Sequence, residues 1–165
     1  MQCLGHDLTH SYMTTNKKEL QVKALQNGTV IDHIPSDKLF KVVALLKLDK
    51  AGNQITIGNN LNSELLGKKG IIKIADRYYA EEEISRIALI APFAKINVIK
   101  DYEVIEKKQL SLPEQFTGIV KCPNPKCVTN NEPMKTSFQV ISSKPIVLKC
   151  HYCEREIQHE DIQLM

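Results

Sequence analysis

An α+β fold in two domains is predicted by three observations. Short β-branched runs alternate with two segments of helical periodicity through the first two thirds of the chain. A prolyl interruption, "KKQLSLPEQF", follows and has no clear period. Beyond it, four of the five cysteines fall in two pieces, "KCPNPKC" and "LKCHYC", among further short strands. The first region reads in the order β-α-β-β-α-β, a ferredoxin-like sheet with both helices on one face. The second reads as a small all-β domain built around a four-cysteine zinc site. Boundaries are expected at 1–19 for a disordered tail, 20–107 for the first domain, 108–114 for a linker and 115–165 for the cysteine domain.

Leu20 to Ile34, "LQVKALQNGTVIDHI", is expected to form two extended pieces around the turn "QNG". Strict alternation would point Asp32 and His33 to opposite faces. Ser36 is the N-cap candidate of the first helix, with Asp37 in its first turn. Leu39, Val42, Val43 and Leu46 supply the buried stripe, and the helix should end near Leu48. Two strands follow, "NQITIGNNL" and "KKGIIKIADRYY". A second helix begins near Ala80, with Glu81, Glu82 and Glu83 at its positive end. Ile84, Ile87, Ala88 and Ala91 form its apolar stripe, and Pro92 stops it. "KINVIKDYEVIEKK" then supplies one last strand region. In the cysteine domain, "FTGIVKC", "SFQVISS", "PIVLKC" and "EIQHEDIQL" read as short strands.

Composition excludes more than it proposes. With 22 basic and 19 acidic residues the formal charge is +3, too mild to argue for nucleic acid or an anionic membrane. Trp is absent, which weakens any base-stacking platform. No run reaches the ~18 apolar residues of a membrane span; Lys41 and Lys47 break the most apolar stretch. The N-terminus carries no signal-peptide pattern, so a reducing cytoplasm is expected, where structural disulfides are rare.

Cys122 and Cys127, separated by four residues, and Cys150 and Cys153, separated by two, form two close thiolate pairs. Each pair can supply one edge of a tetrahedron, and soft thiolate ligation selects zinc over magnesium or calcium. Four protein ligands leave no position for water, so such a site is structural. An iron–sulfur cluster also takes four thiolates, and the spacing does not separate the two. A redox use of Cys150 and Cys153 would leave Cys122 and Cys127 without a purpose. His151 and His159 read as surface residues, and Cys3 has no partner. Phosphate-loop, nucleophile and zinc-hydrolase motifs are absent from the sequence. Asp32, His33, Lys73 and Lys107 stand within apolar strands. Each alone reads as a solvated strand face; together they have the chemistry for a ribose and phosphates.

The segments "LQVKALQNGTVIDHIP", "ITIGNNL", "LIAPFAKINVIKDYEV", "SLPE" and the cysteine frame together resemble the regulatory chain of aspartate carbamoyltransferase, from about Leu20 to the C-terminus. The resemblance implies a non-catalytic subunit of pyrimidine biosynthesis that binds CTP, UTP and ATP as effectors and one structural Zn2+ per chain. It implies homodimers through the N-terminal domain and docking of the zinc domain on catalytic trimers, with no nucleic acid and no membrane as partner. By position, the nucleotide pocket would include Val22, Lys23, Ala24, Leu25, Val30, Asp32, His33, Lys73, Asn97, Ile99, Tyr102, Val104 and Lys107. Lys107 would meet phosphates, with His33 near them, while Asp32 and Lys73 would meet the ribose and nearby groups. Backbone around Leu25 and Tyr102 would read the base. Asn124 and Glu154 would touch the catalytic chain. Lys23 replaces an acidic residue of the family and Lys126 a smaller polar one. Met13 falls where the family's chains begin. The alternative, from a different class, is a zinc-ribbon nucleic-acid-binding protein using Lys144 and Lys149 beside the cysteines.

Overall fold

A computed structural model describes residues 24–165. The tail, Cys3, Val22 and Lys23 lie outside the described residues. The first sheet has the order β2-β3-β1-β4-β5, all neighbours antiparallel. Its strands are β1 (Gly28–Pro35), β2 (Ile55–Ser63), β3 (Gly67–Ala75), β4 (Lys95–Lys100) and β5 (Glu103–Gln109). Helices α1 (Leu39–Leu45) and α2 (Glu81–Ile90) cover one face. Ile31, Ile72, Ile74 and Ile96 from the strands are buried there with Leu39, Val42, Leu46, Ile84 and Ile87 from the helical segments. Gly70 lets α1 settle on β3, since a Cβ there would lie 2.7 Å from Leu39 Cδ1.

The α+β class and ferredoxin-like order hold, with one addition. The last strand region is a hairpin of two strands, because Asp101 and Tyr102 both adopt left-handed backbone, φ 51° and 67°. Two such residues make the tight turn whose twist suits an antiparallel pair. β5 therefore extends the sheet past β4.

Two helix-end expectations are corrected. Lys38, not Ser36, precedes the first turn of α1, and no side chain caps it. The helix stops at Leu45 rather than near Leu48, because Lys47 turns left-handed at φ 50° and a 3-10 turn, Leu48–Lys50, follows. α2 begins after Ala80 as expected; the Glu83 carboxylate accepts from the Ala80 N–H at 3.2 Å, satisfying one orphan donor.

The second sheet runs β6-β7-β8-β9, with β6 (Gln115–Thr117), β7 (Ser137–Ser143), β8 (Ile146–Cys150) and β9 (Glu156–Gln158). A short helix, α3 (Val128–Asn131), follows Cys127. β6 is shorter than "FTGIVKC" suggests, since Gly118 takes φ 66°. Phe116, Phe138, Leu148 and Ile157 pack around the cysteines, and Leu89 of α2 joins this second core. Leu164 packs on both cores. No helix among the described residues is long and apolar enough to cross a membrane.

Candidate functional site

On the sheet face away from the helices, strand register collects the polar candidates. Val30 lies opposite Lys73 on one side and Asn97 on the other, and Asn97 lies opposite Lys107. Directly opposed residues share a face, so Lys73, Val30, Asn97 and Lys107 form one row across β3, β1, β4 and β5. Ile99 and Val104 oppose each other further along, toward the β4–β5 turn. There Gln26 accepts through its carbonyl from the Tyr102 N–H at 2.9 Å, and Asn27 Oδ1 accepts from the Asp101 N–H at 3.0 Å. These bonds tie Gln26 and Asn27 to the β4–β5 turn.

Asp32 and His33 do not obey strict alternation. A bulge between Ile31 and Ile34 places His33 at φ 60°, so the two side chains meet instead of pointing apart. Asp32 Oδ1 accepts from the His33 N–H at 2.7 Å, and His33 Nδ1 lies 3.2 Å from Asp32 Oδ2. Lys69 Nζ bridges the same carboxylate, 2.9 Å from Oδ1 and 3.0 Å from Oδ2. Sequence reasoning missed Lys69. Its position in "KKGIIKIA" looks like an exposed edge until the bulge turns Asp32 toward it. Burial pushes the Lys73 ammonium below its ordinary pKa, and the Asp32 carboxylate offsets part of that shift.

This open face can hold a polyanion at its lysines and a polar sugar at Asp32 and Asn97. Among the described residues it offers no nucleophile paired with a base. Two cavities, of about 660 Å³ and 640 Å³, lie at the joint between the two sheets' domains.

Cys122, Cys127, Cys150 and Cys153 converge: all four sulfurs lie within 4.8 Å of one another. Cys122 and Cys153 sulfurs are 3.5 Å apart and those of Cys127 and Cys150 3.9 Å. A disulfide needs about 2.05 Å. Four thiolates at ~2.3 Å from a central ion stand about 3.8 Å apart, so the observed set fits a tetrahedral metal ion. It also closes the site: every ligand position belongs to the protein, and the metal it holds is structural. Burial pushes the Cys122 and Cys150 thiols up. Burial acts upward on Cys153 too, but the Arg155 N–H, the Asn124 side chain and the Cys122 and Cys150 thiols bring it down to about 7. Glu154, exposed beside Cys153, adopts φ 57°, and Asn124 Oδ1 accepts from the Lys126 N–H at 3.1 Å. His159, expected on the surface, is half-buried, with Nε2 2.8 Å from the Leu89 carbonyl.

Residues 20–111 match the family described as "Aspartate carbamoyltransferase regulatory chain, allosteric domain", and residues 114–163 match its "metal binding domain". A regulatory chain of aspartate carbamoyltransferase from Phocaeicola vulgatus is 63% identical over 153 residues, covering 93% of this chain and 99% of the relative. The Bacteroides fragilis counterpart is 60% identical, covering 93% and 100%. The archaeal one from Thermococcus kodakarensis is 47% identical over 146 residues, covering 88% and 96%.

Proposed function

This chain belongs to the aspartate carbamoyltransferase regulatory chain family, and on that premise we propose that it senses nucleoside triphosphates on its first sheet and transmits their binding to catalytic chains through a zinc domain. It is a regulatory chain of pyrimidine biosynthesis and not the catalytic one. The single observation that carries the sensor assignment is the row Lys73–Val30–Asn97–Lys107 on the face opposite the helices.

In this reading CTP, UTP and ATP are the effectors. Lys107 and His33 meet the phosphates, Asp32 and Lys73 meet the ribose side, and backbone near Leu25 and Tyr102 reads the base. The resemblance assigns Val22 and Lys23, which lie outside the described residues, to the same nucleotide site. The allosteric domain spans 20–107, the linker 108–114 and the zinc domain 115–165. Zinc is the metal because four thiolates in a closed tetrahedron suit a borderline-soft ion without redox chemistry. Asn124 and Glu154, flanking the cysteines, face the catalytic chain. β2 and β5 are the edges of the first sheet, and Val104 and Ile105 are exposed on β5, which supports pairing of two copies through this domain. Control then follows from linkage: a nucleotide shifts catalysis only insofar as it binds the low- and high-activity assemblies with different affinity.

Sedimentation of the zinc-loaded chain with catalytic trimers of the same organism tests this reading. A single large species that dissociates when the thiols are mercurated is expected. Separate sedimentation, with zinc confirmed bound, would sink the assignment. The nucleic-acid alternative finds no support in relatives that match both domains.

A further inference from the structure

The loop Cys122–Cys127 carries two of the four sulfurs and contains Pro123 and Pro125, which have no N–H to donate. It belongs to no strand or helix; its backbone closes a turn from the Cys127 N–H to the Asn124 carbonyl at 3.0 Å, and the Asn130 N–H meets the Cys127 carbonyl at 3.0 Å. Two consecutive side-chain amides add further donors. Asn130 Nδ2 donates to the Cys122 and Asn124 carbonyls, each at 2.8 Å. Asn131 Nδ2 donates to the Pro125 carbonyl at 3.0 Å and the Cys127 carbonyl at 2.8 Å. Between the loop and these amides, Thr129 Oγ1 donates to Cys127 Sγ at 3.2 Å. Cys127 is only 1% exposed, so water does not supply this bond.

We infer that Thr129, Asn130 and Asn131 are positioning residues that set how tightly and how long this chain holds its metal. The inference rests on the metal-site reading above. Four thiolates around a divalent ion leave a net charge of −2 in a largely buried site. A hydroxyl donated to one sulfur draws off part of that charge and fixes the sulfur's direction. The amides hold the loop near its bound shape, which cuts the ordering cost of binding and slows the opening through which an ion leaves. The signal in the sequence is the run "CVTNN", where three polar side chains in a row closely follow the second cysteine.

The test uses the full chain loaded with Co2+, whose thiolate charge-transfer absorption reports on the sulfurs, and a chromophoric chelator to time release. Thr129→Val is expected to release metal about 10–100-fold faster. It should also move the absorption to lower energy, since a sulfur without a hydrogen bond gives up its electron more easily. Thr129→Ser, which keeps the hydroxyl, should restore both. Asn130→Ala with Asn131→Ala should speed release without moving the absorption, separating loop clamping from the sulfur bond. A general loss of stability would not move the absorption in Thr129→Val alone. Thr129→Val with wild-type release and absorption would overturn the inference. A wild-type chain that takes up no Co2+ would overturn the metal site itself and this inference with it.

Discussion

Lys73 and Lys107 stand in one cross-strand row, with only Val30 and Asn97 between them. Three interstrand steps of ~4.8 Å put their backbones about 14 Å apart. In the proposed pocket the two ammonium groups would therefore address different parts of an extended ligand. Lys107, exposed on edge strand β5, suits the phosphate end.

Lys107→Ala should weaken nucleotide binding about 10–100-fold, the loss of one charge-assisted contact worth ~1.5–3 kcal/mol. Because the side chain is exposed, fold stability should change by no more than ~0.5 kcal/mol. Calorimetric titration with CTP and ATP, alongside sedimentation with catalytic trimers, checks both halves. Unchanged affinity would remove Lys107 from the site, and loss of assembly would show that its role is structural.

Proton linkage gives a second expectation. Lys73 has a lowered pKa because burial disfavours its charge, and Asp32 acts in the opposite sense. A bound polyanion favours the protonated lysine, so on the alkaline side affinity should fall as pH rises through the free-state pKa of Lys73, below 10.5. Asp32→Asn removes the carboxylate that holds that pKa up. The onset of the alkaline fall should then move to lower pH. Binding measured from neutral to strongly alkaline pH in both proteins decides it; an onset that does not move would uncouple Asp32 from Lys73.

Gly28→Ala should damage the sensor face without touching a ligand. Gly28 opens β1 at φ 131°, and a Cβ there would lie 2.0 Å from the Ile74 carbonyl oxygen. The obstacle is backbone of the neighbouring strand, so no rotamer relieves it. A cost above about 3 kcal/mol is expected, because the new residue is strained in φ and forces β1 from β3. Chemical denaturation of the full chain measures this. A stable Gly28→Ala protein that binds nucleotide normally would contradict the register on which the row depends.

What is legible in the sequence follows from periodicity and ligand spacing. The buried stripes Leu39–Val42–Leu46 and Ile84–Ile87–Ala91 are readable because helices repeat every 3.6 residues. The four cysteines are readable because thiolate ligands cluster in pairs. Backbone events that break a period are not. The left-handed turn at Asp101 and Tyr102, which makes β5 a separate strand, has no glycine to announce it. The bulge at His33 likewise sits in an ordinary "IDHI", yet it turns Asp32 onto Lys69. The run "CVTNN" is visible in the sequence, but which carbonyls and which sulfur Thr129, Asn130 and Asn131 serve shows only when the loop is folded against them.

His159 and Leu89 carry the last expectation, which concerns coupling. α2 ends at Ile90, so the Leu89 carbonyl is among the last four of the helix, those without a partner inside it. His159, following β9 in the metal domain, meets that carbonyl with its ring nitrogen at 2.8 Å. A carbonyl only accepts, so Nε2 carries the proton. This bond ties the end of a sensor-domain helix to the cysteine domain beside the apolar contact of Leu89 with the second core. His159→Ala should leave nucleotide affinity and assembly intact but reduce the nucleotide's effect on catalysis about 2–30-fold, corresponding to ~0.5–2 kcal/mol of coupling. His159→Gln, with an amide that can reach the same carbonyl, should recover part of the response. Steady-state rates of reconstituted holoenzyme with and without saturating CTP measure the change. An undiminished response in His159→Ala would assign the coupling to the packing of Leu89 and Leu164, since those side chains span the same joint without the hydrogen bond.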